Sequence, residues 1–375
     1  MKVLYDLQAY SFSPHGGVAR MFDAVIERLA RRPDYQALYR SGTYLARVPP
    51  RLPATSFAGL PPCPPILRRL PLAPAAYAAL ERANWNRRGP QLFHPTFYPA
   101  ADDFRHLPTV VHVYDLIHEL IPQADDMPDH AGFLRTKRRW LERAQRIVCI
   151  SEATRRALLG HYALDPARVR VVTLAGGEGF HRLDPAAARA AAGPLADAVS
   201  RPFLLFVGSR QRYKNFHRLV QAYGSWRHRH EVALVVVGGR PGTADALALD
   251  LAGRPEHVHF VGATDDVTLN ALYNLARFLV YPSSGEGFGI PLLEAMAAGC
   301  PLACSDLDVF HEVAGDGPVY FDPLRADSMH AAFDRALTRR DEESFLRNPP
   351  RPAQAFSWDR CAEELWAVYR ELVPA

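Results

Sequence analysis

Along this chain, short runs of β-branched and aromatic residues alternate with longer stretches whose apolar positions recur at helical spacing. Val110-Val111-His112-Val113-Tyr114, Arg146-Ile147-Val148-Cys149-Ile150 and Val169-Arg170-Val171-Val172 read as buried strands of the first half, after an opening strand at Lys2-Val3-Leu4-Tyr5. Phe203-Leu204-Leu205-Phe206-Val207, Ala233-Leu234-Val235-Val236-Val237, Val258-His259-Phe260-Val261 and Phe278-Leu279-Val280-Tyr281 do so in the second. Each is followed by Gly, Ser or Pro and then an amphipathic stretch. The alternation predicts an α/β protein with doubly wound parallel sheets, whose strands are covered on both faces. Ligands of such sheets bind beyond the carboxyl ends of the strands. All the candidate chemistry of this sequence falls at such ends.

The pattern breaks near residues 179–200, at Asp184-Pro185 and an Ala-rich stretch ending at Gly193-Pro194, where a join between domains is expected. Residues 49–74 hold nine prolines and are expected to be irregular. Within them, Ile66-Leu67-Arg68-Arg69-Leu70 reads as a surface loop or as a lip touching membrane or acceptor. At the end, Phe356, Trp358, Leu365, Trp366 and Tyr369 lie on an amphipathic helix whose aromatics need a surface to cover.

A length of 375 residues exceeds one ordinary core and implies two domains at roughly 100–200 residues each. With 48% apolar and 22% charged residues, disordered and fibrous classes are excluded. No apolar run reaches the ~18 residues of a membrane span, and Met1 leads into a strand without a signal-peptide layout, so a cytoplasmic protein is expected. Cys63, Cys149, Cys300, Cys304 and Cys361 are scattered and read as reduced, buried thiols; no Cys-x2-Cys or Cys/His pairing suggests zinc. Net charge is +4, but residues 1–180 carry 24 Lys+Arg against 16 Asp+Glu, and residues 181–375 carry 20 against 24. The excess gathers at Arg31-Arg32, Arg68-Arg69, Arg87-Arg88 and Lys137-Arg138-Arg139. It fits either solvated helix faces or a front half turned toward something anionic, lipid head groups or a phosphorylated acceptor. No recognition motif accompanies the charge, which speaks against nucleic acid.

The richest segment is Ser283-Ser284-Gly285-Glu286-Gly287-Phe288-Gly289-Ile290-Pro291-Leu292-Leu293-Glu294, directly after the strand ending at Tyr281. Its glycines let backbone approach a ligand, and Pro291 fits the first position of a helix, so free N–H groups face the loop. That is an anion site suited to a diphosphate. Glu286 and Glu294, eight residues apart and the latter on the first helical turn, would repel a phosphate unless they bind something else. Sugar hydroxyls suit them, since a carboxylate accepts two hydrogen bonds from a vicinal diol. In the second segment, Val207-Gly208-Ser209-Arg210-Gln211-Arg212-Tyr213-Lys214-Asn215, Gly208 permits close approach. Arg210 and Lys214 could neutralise charge on a leaving diphosphate, while Arg212 reads as a solvated spare.

In the first half, Ser13-Pro14-His15-Gly16-Gly17 forms a strand-to-helix turn without dinucleotide spacing. Asp115 and His118 follow a strand end, where they could contact substrate hydroxyls or move protons. His112 and Tyr114 share the opposite strand face from Val113 and Asp115; His112 reads as a core histidine, and His94 is expected to line the same cleft as Asp115 and His118. Asp306-Leu307-Asp308 has a spacing used for metal elsewhere but is expected to be turn chemistry.

These residues resemble the retaining glycosyltransferases of the GT-B fold, specifically the group 1 (family 4) set. The likeness runs nearly end to end through Gly16-Gly17, His94-Pro95-Thr96, Tyr114 to Glu119, Ile150-Ser151-Glu152, Val207 to Arg210, Lys214-Asn215 and the E-x7-E spacing of Glu286 and Glu294. It implies two Rossmann-like domains facing across a cleft: residues 1–180 on the acceptor side, 181–355 binding the nucleotide sugar, and 356–375 crossing back to the first domain. It further implies that Arg210 and Lys214 bind the diphosphate, Glu294 the ribose and Glu286 the transferred sugar. The Gly208 turn and the Gly287, Phe288 and Gly289 backbone would approach the donor, with Gly16 and Gly17 closing over it. Many relatives have His-Asp where this chain has Tyr114-Asp115, so Asp115 survives while His118 is the candidate replacement for the missing imidazole.

The reaction implied is retaining transfer from a nucleoside-diphosphate sugar, with GDP-mannose the first expectation, by front-face attack without metal or other cofactor. The acceptor expected is a saccharide or a polyprenyl-diphosphate-linked saccharide in bacterial surface polysaccharide synthesis (O-antigen, capsule or exopolysaccharide). The basic first domain would then make peripheral contact with an anionic cytoplasmic membrane face. A GT-B nucleotide-sugar epimerase, an NAD-dependent oxidoreductase and a non-catalytic nucleotide-sugar-binding protein are the alternatives; the E-x7-E pair speaks against the first and the missing glycine fingerprint against the second.

Overall fold

The computed structural model describes residues 1–12, 16–40, 79–80, 83, 87–100, 104–121, 129–198, 201–239, 256–342 and 355–374. The proline-rich stretch with Ile66 to Leu70, Arg68-Arg69, Cys63 and Ser13 to His15 lie outside them. Two compact units emerge. Met1–Asp115, Pro128–Leu174 and Ser357–Ala375 form the first; Leu116–Met127 and Ala175–Phe356 form the second.

In the first unit, β1 (Lys2–Asp6), β2 (Gln36–Arg40) and β3 (Leu92–His94) pair in the order β2-β1-β3, and β4 (Val110–Val113), β5 (Arg146–Cys149) and β6 (Val169–Val171) in the order β4-β5-β6. All pairs are parallel, and a parallel bridge from Phe93 to Thr109 links the two groups. Strand β4 is wholly buried, His112 included, which fits its valine-rich run. Around the strands lie α1 (Gln8–Phe12), α2 (Gly17–Leu29), α4 (His130–Arg143) and α5 (Glu152–His161), whereas α3 (Ile117–Leu120) groups with the second unit. Asp129 caps α4 through the Gly132 N–H, and Ser151 caps α5 through the Thr154 N–H.

The second unit is one six-stranded parallel sheet of β7 (Phe203–Val207), β8 (Ala233–Val237), β9 (Val258–Gly262), β10 (Phe278–Tyr281), β11 (Leu302–Ser305) and β12 (Val319–Phe321). Its order is β12-β11-β10-β7-β8-β9. Winding reverses between β7 and β10, which opens a crevice at their carboxyl ends. Its helices are α6 (Pro185–Ala192), α7 (Pro194–Ala198), α8 (Phe216–Ser225), α9 (Asp266–Leu275), α10 (Ile290–Ala297), α11 (Asp308–Ala314) and α12 (Ala326–Arg339). The Ala-rich stretch that broke the pattern is thus helical: Asp184 caps α6, and Ala192 and Ala196 pack with Ala271 of α9, small side chains allowing close approach.

The last helix, α13 (Trp358–Leu372), buries Trp358, Leu365, Trp366 and Tyr369 within the first unit. The Tyr369 hydroxyl lies 2.9 Å from that of Tyr5 and 2.6 Å from His94 Nδ1, while His94 Nε2 lies 2.7 Å from His112 Nδ1. Both imidazoles are closed to solvent and stacked, with ring centroids 4.8 Å apart. Burial, and then His112, hold His94 well below the usual histidine range; burial alone lowers His112 to about 3. His112 is the core histidine expected. His94, expected to line a ligand cleft, is instead a core residue with both ring nitrogens engaged.

Candidate functional site

Two loops leave the carboxyl ends of β7 and β10, where the winding reverses, and they are tied together through backbone: the Ser284 N–H donates to the Tyr213 carbonyl at 2.7 Å. A one-turn helix, Arg212–Lys214, ends the first loop, and Asn215 follows at φ 60, a left-handed conformation that asparagine tolerates. The buried Asn215 amide donates to the Pro323 carbonyl at 2.7 Å, pinning the turn to the loop after β12. So anchored, Lys214 Nζ reaches Glu286 Oε1 at 2.5 Å and the Tyr281 hydroxyl at 3.1 Å. Ser283 Oγ donates to the same Glu286 oxygen at 2.6 Å.

Gly289, at φ 113, precedes α10, and its helical start directs N–H groups toward the loop. Two local expectations shift by a position. Pro291 is the second helical residue, and Glu294 is the fifth, beginning the second turn rather than lying on the first. Glu294 is only 3% exposed, and the Tyr273 hydroxyl of α9 donates to its Oε2 at 3.1 Å. Both acids act on Tyr281. Burial, then the Glu286 carboxylate, then Glu294, push its phenol well above the ordinary value, so it stays protonated.

Arg210 turns toward the other side of the crevice. Its guanidinium donates to the Gly238 carbonyl at the end of β8 and lies 5.6 Å over the Phe260 ring of β9. Gly238, at φ 111, passes so near Gly208 that a Cβ there would stand 2.6 Å from the Gly208 carbonyl oxygen. Gly208, Gly287, Phe288 and Gly289 all lie on these two loops; the Phe288 side chain is buried edge-on against Phe356, leaving its backbone to the loop. Arg212 is exposed.

Asp115 and His118 part company. Asp115 ends the first unit's segment, half-buried, with its carbonyl accepting from Lys137 Nζ at 2.8 Å. His118 lies on α3, in the second unit, and α3 with the residue after it packs on the acid-bearing loop: a Cβ on Gly285 would meet Ile121 Cδ1 at 2.2 Å and Ile117 Cγ1 at 3.8 Å. Gly16 precedes α2 as its cap and Gly17 begins it, both in the first unit. Asp306 pairs with His311 Nε2 at 2.7 Å and Asp308 starts α11. Among the described residues no group of three His, Cys, Asp or Glu side chains is placed to hold a metal ion. Cys149, Cys300, Cys304 and Cys361 are buried free thiols.

Much of the basic excess is engaged within the first unit. Arg28 and Arg32 pair with Asp359 and Glu363 of α13, and Arg146 and Arg170 with Glu371. Arg138 lies 5.4 Å over the Tyr162 ring, and Arg139 donates to the Pro99 and Ala100 carbonyls. No described helix is long and apolar enough to cross a membrane.

Sequence reasoning assigned no role to Tyr273, Tyr281, Ser283 or Gly238. Tyr281 carried a usable signal, a polar aromatic as the last residue of a buried strand beside a glycine loop. Tyr273 carried none, since an aromatic on an apolar helix face reads as core.

Residues 194–348 match the family model described as glycosyl transferases group 1, and residues 15–174 match that of glycosyltransferase family 4. O-antigen chain mannosyltransferase B of Escherichia coli is 33% identical over 45% of this chain and 46% of its own length. The serotype-specific mannosyltransferase WbdA of Escherichia coli is 30% identical over 65% of this chain and 32% of its own. O-antigen chain mannosyltransferase RfbU of Salmonella typhimurium is 37% identical over 35% and 37%. The matches therefore span less than half the length of these curated relatives. Sucrose-phosphate synthase of Thermosynechococcus elongatus superposes with a TM-score of 0.74 at 20% identity, covering 99% of each chain. WaaG, a glycosyltransferase involved in lipopolysaccharide biosynthesis, does so with 0.68 at 18%, covering 99% of this chain and 96% of that one. At such identities the superpositions speak for the GT-B fold alone.

Proposed function

The chain belongs to the group 1 glycosyltransferases, and from that premise we propose that it transfers a mannosyl residue from GDP-mannose, with retention, to a saccharide or polyprenyl-diphosphate-linked saccharide in surface polysaccharide synthesis. The observation that carries this reading is the convergence of Lys214, Tyr281, Ser283 and Glu286 at the β7–β10 crevice, with Arg210 and Glu294 on the same pair of strand ends. Mannose and O-antigen are supported by the names of the relatives.

On this reading the diphosphate binds at the start of α10 and against Arg210 and Lys214, whose charges stabilise the departing phosphate in the role a divalent ion plays elsewhere. Glu286 then exchanges its lysine contact for hydroxyls of the transferred sugar, and Glu294 accepts from the ribose. The leaving phosphate helps take the acceptor proton as the hydroxyl attacks from the same face. The protein contributes positioning and fixed charge, not a covalent nucleophile. The first unit, with Asp115, serves the acceptor side and meets an anionic membrane surface through exposed arginines such as Arg87 and Arg88; His118 stands in for the histidine replaced by Tyr114.

The test is a thermal-shift panel of GDP-, UDP- and dTDP-sugars followed by acceptor-dependent release of nucleoside diphosphate. Glu286→Ala should abolish transfer while keeping nucleotide binding, and Arg210→Ala should weaken both. Stabilisation by NAD alone, or release of free nucleotide without any acceptor, would overturn the reading. Sedimentation with anionic liposomes at low salt tests the membrane contact; no binding there removes it.

A further inference from the structure

A carboxylate held at 3% exposure between the buried Leu293 and Ala295 is costly unless donors reach it. Tyr273 supplies one to Glu294 from a neighbouring helix, α9, across 3.1 Å. Tyr273 is itself fully buried and has little room to swing. Phe180 packs edge-on against its ring at 5.8 Å, and its carbonyl accepts from Arg340 at 3.1 Å. Burial, and then the adjacent carboxylate, keep the phenol protonated far above neutral pH, so it donates under all working conditions.

We propose that Tyr273 is a positioning residue for nucleotide recognition: by holding Glu294 Oε2 it fixes the plane of the carboxylate that accepts from the ribose hydroxyls. The proposal rests on the reading that Glu294 binds ribose, and it names what makes that acid selective. A carboxylate free to rotate spreads its acceptor directions, whereas one tethered oxygen pre-orients the other at no further cost on binding. The cations read as binding the diphosphate, Arg210 and Lys214, lie on the β7 loop, where they contact Gly238 and Glu286.

Isothermal titration of the full chain with GDP, UDP and the 2′,3′-dideoxy form of whichever binds more tightly separates the possibilities. Tyr273→Phe should weaken the ribonucleotide about tenfold, the scale of one hydrogen bond to a charged group, and leave the dideoxy nucleotide within about twofold. In turnover the donor KM should rise by the same factor with kcat unchanged, and in a Glu294→Gln background the Tyr273→Phe effect should disappear. A loss of merely structural origin would weaken both nucleotides alike, and that result, or no change in either, overturns the proposal. If the phenylalanine variant does not fold, 3-fluorotyrosine placed at 273 preserves the contact. Its fluorine resonance should shift with the ribonucleotide and stay put with the dideoxy form; equal shifts, or none with either, overturn the proposal. Wild type that binds no nucleoside diphosphate, or Glu294→Gln that keeps the ribose preference, sinks the underlying ribose reading as well. Failure of Tyr273→Phe alone sinks only the tether.

Discussion

Lys214 and Glu286 stand 72 positions apart in the chain and 2.5 Å apart in space, their side chains 13% and 10% exposed. An ion pair this far from water gains from the low local dielectric but has given up hydration on both sides. Further partners, among them Tyr281 on the lysine and Ser283 on the carboxylate, make the desolvation tolerable.

Breaking the pair on one side should therefore cost more than the pair itself is worth. Lys214→Met leaves Glu286 near its uncompensated state and is expected to lower stability by about 3 kcal/mol, whereas Lys214→Met with Glu286→Leu should recover most of that loss. Urea unfolding of both variants reads the difference. A double variant no more stable than the single one contradicts the account.

Gly238→Ala places a methyl group against backbone at φ 111 and 2.6 Å from the Gly208 carbonyl oxygen, and backbone cannot swing aside as a side chain can. We expect a loss of about 2–4 kcal/mol, together with weaker nucleotide binding, because the Gly238 carbonyl that anchors Arg210 must shift. Thermal denaturation and titration with GDP give the two readouts.

At Gly285 the obstruction is a side-chain end. A methyl group there meets Ile121 Cδ1 of the segment that follows α3. Gly285→Ala should impair transfer by displacing the neighbouring Glu286, and Gly285→Ala with Ile121→Ala should restore it at some cost in packing, about 2–4 kcal/mol. Absence of rescue in steady-state rates would mean that the contact does not position the acid.

The stacked histidines make the first unit acid-sensitive. In the unfolded chain each protonates near 6.5, but folded His112 resists until about 3 and His94 is lowered in the same direction. The unfolded state thus binds more protons throughout that interval, so stability is complete above about pH 6.5 and is lost as pH falls toward 3. Within that window the His112 linkage should cost on the order of 1 kcal/mol of stability per pH unit, and His94 acts in the same direction. Urea midpoints at pH 7 and pH 5 for wild type and His112→Gln check this: the variant should show the shallower dependence.

Strands buried on both faces announce themselves, and β7, β8 and β10 coincide with runs that periodicity alone delimits. Strands β2 and β12 did not. Gln36–Arg40 and Val319–Phe321 carry weak local patterns and become strands by pairing beside β1 and β11. The loops bearing Arg210, Lys214 and Glu286, and the helix start that carries Glu294, were equally plain, because glycine, proline and charge at a strand end are local chemistry. His94 misled for the converse reason, since its partners Tyr369 and His112 come from other elements.

What the sequence by itself determined, then, is the α/β class, the two sites of charge and glycine, and the family to which they belong, all properties of short windows in which neighbours along the chain are neighbours in space. The tertiary structure alone decided which cation meets which acid, that α3 leaves the first half to pack on the Gly285 loop, and that a core tyrosine holds Glu294. Those outcomes depend on separations of many residues being closed by the sheet order β12-β11-β10-β7-β8-β9, which brings the ends of β7 and β10 side by side. Hydrogen bonds reach only about 3 Å, so a partner is chosen by where the fold delivers it, and no residue type carries that address.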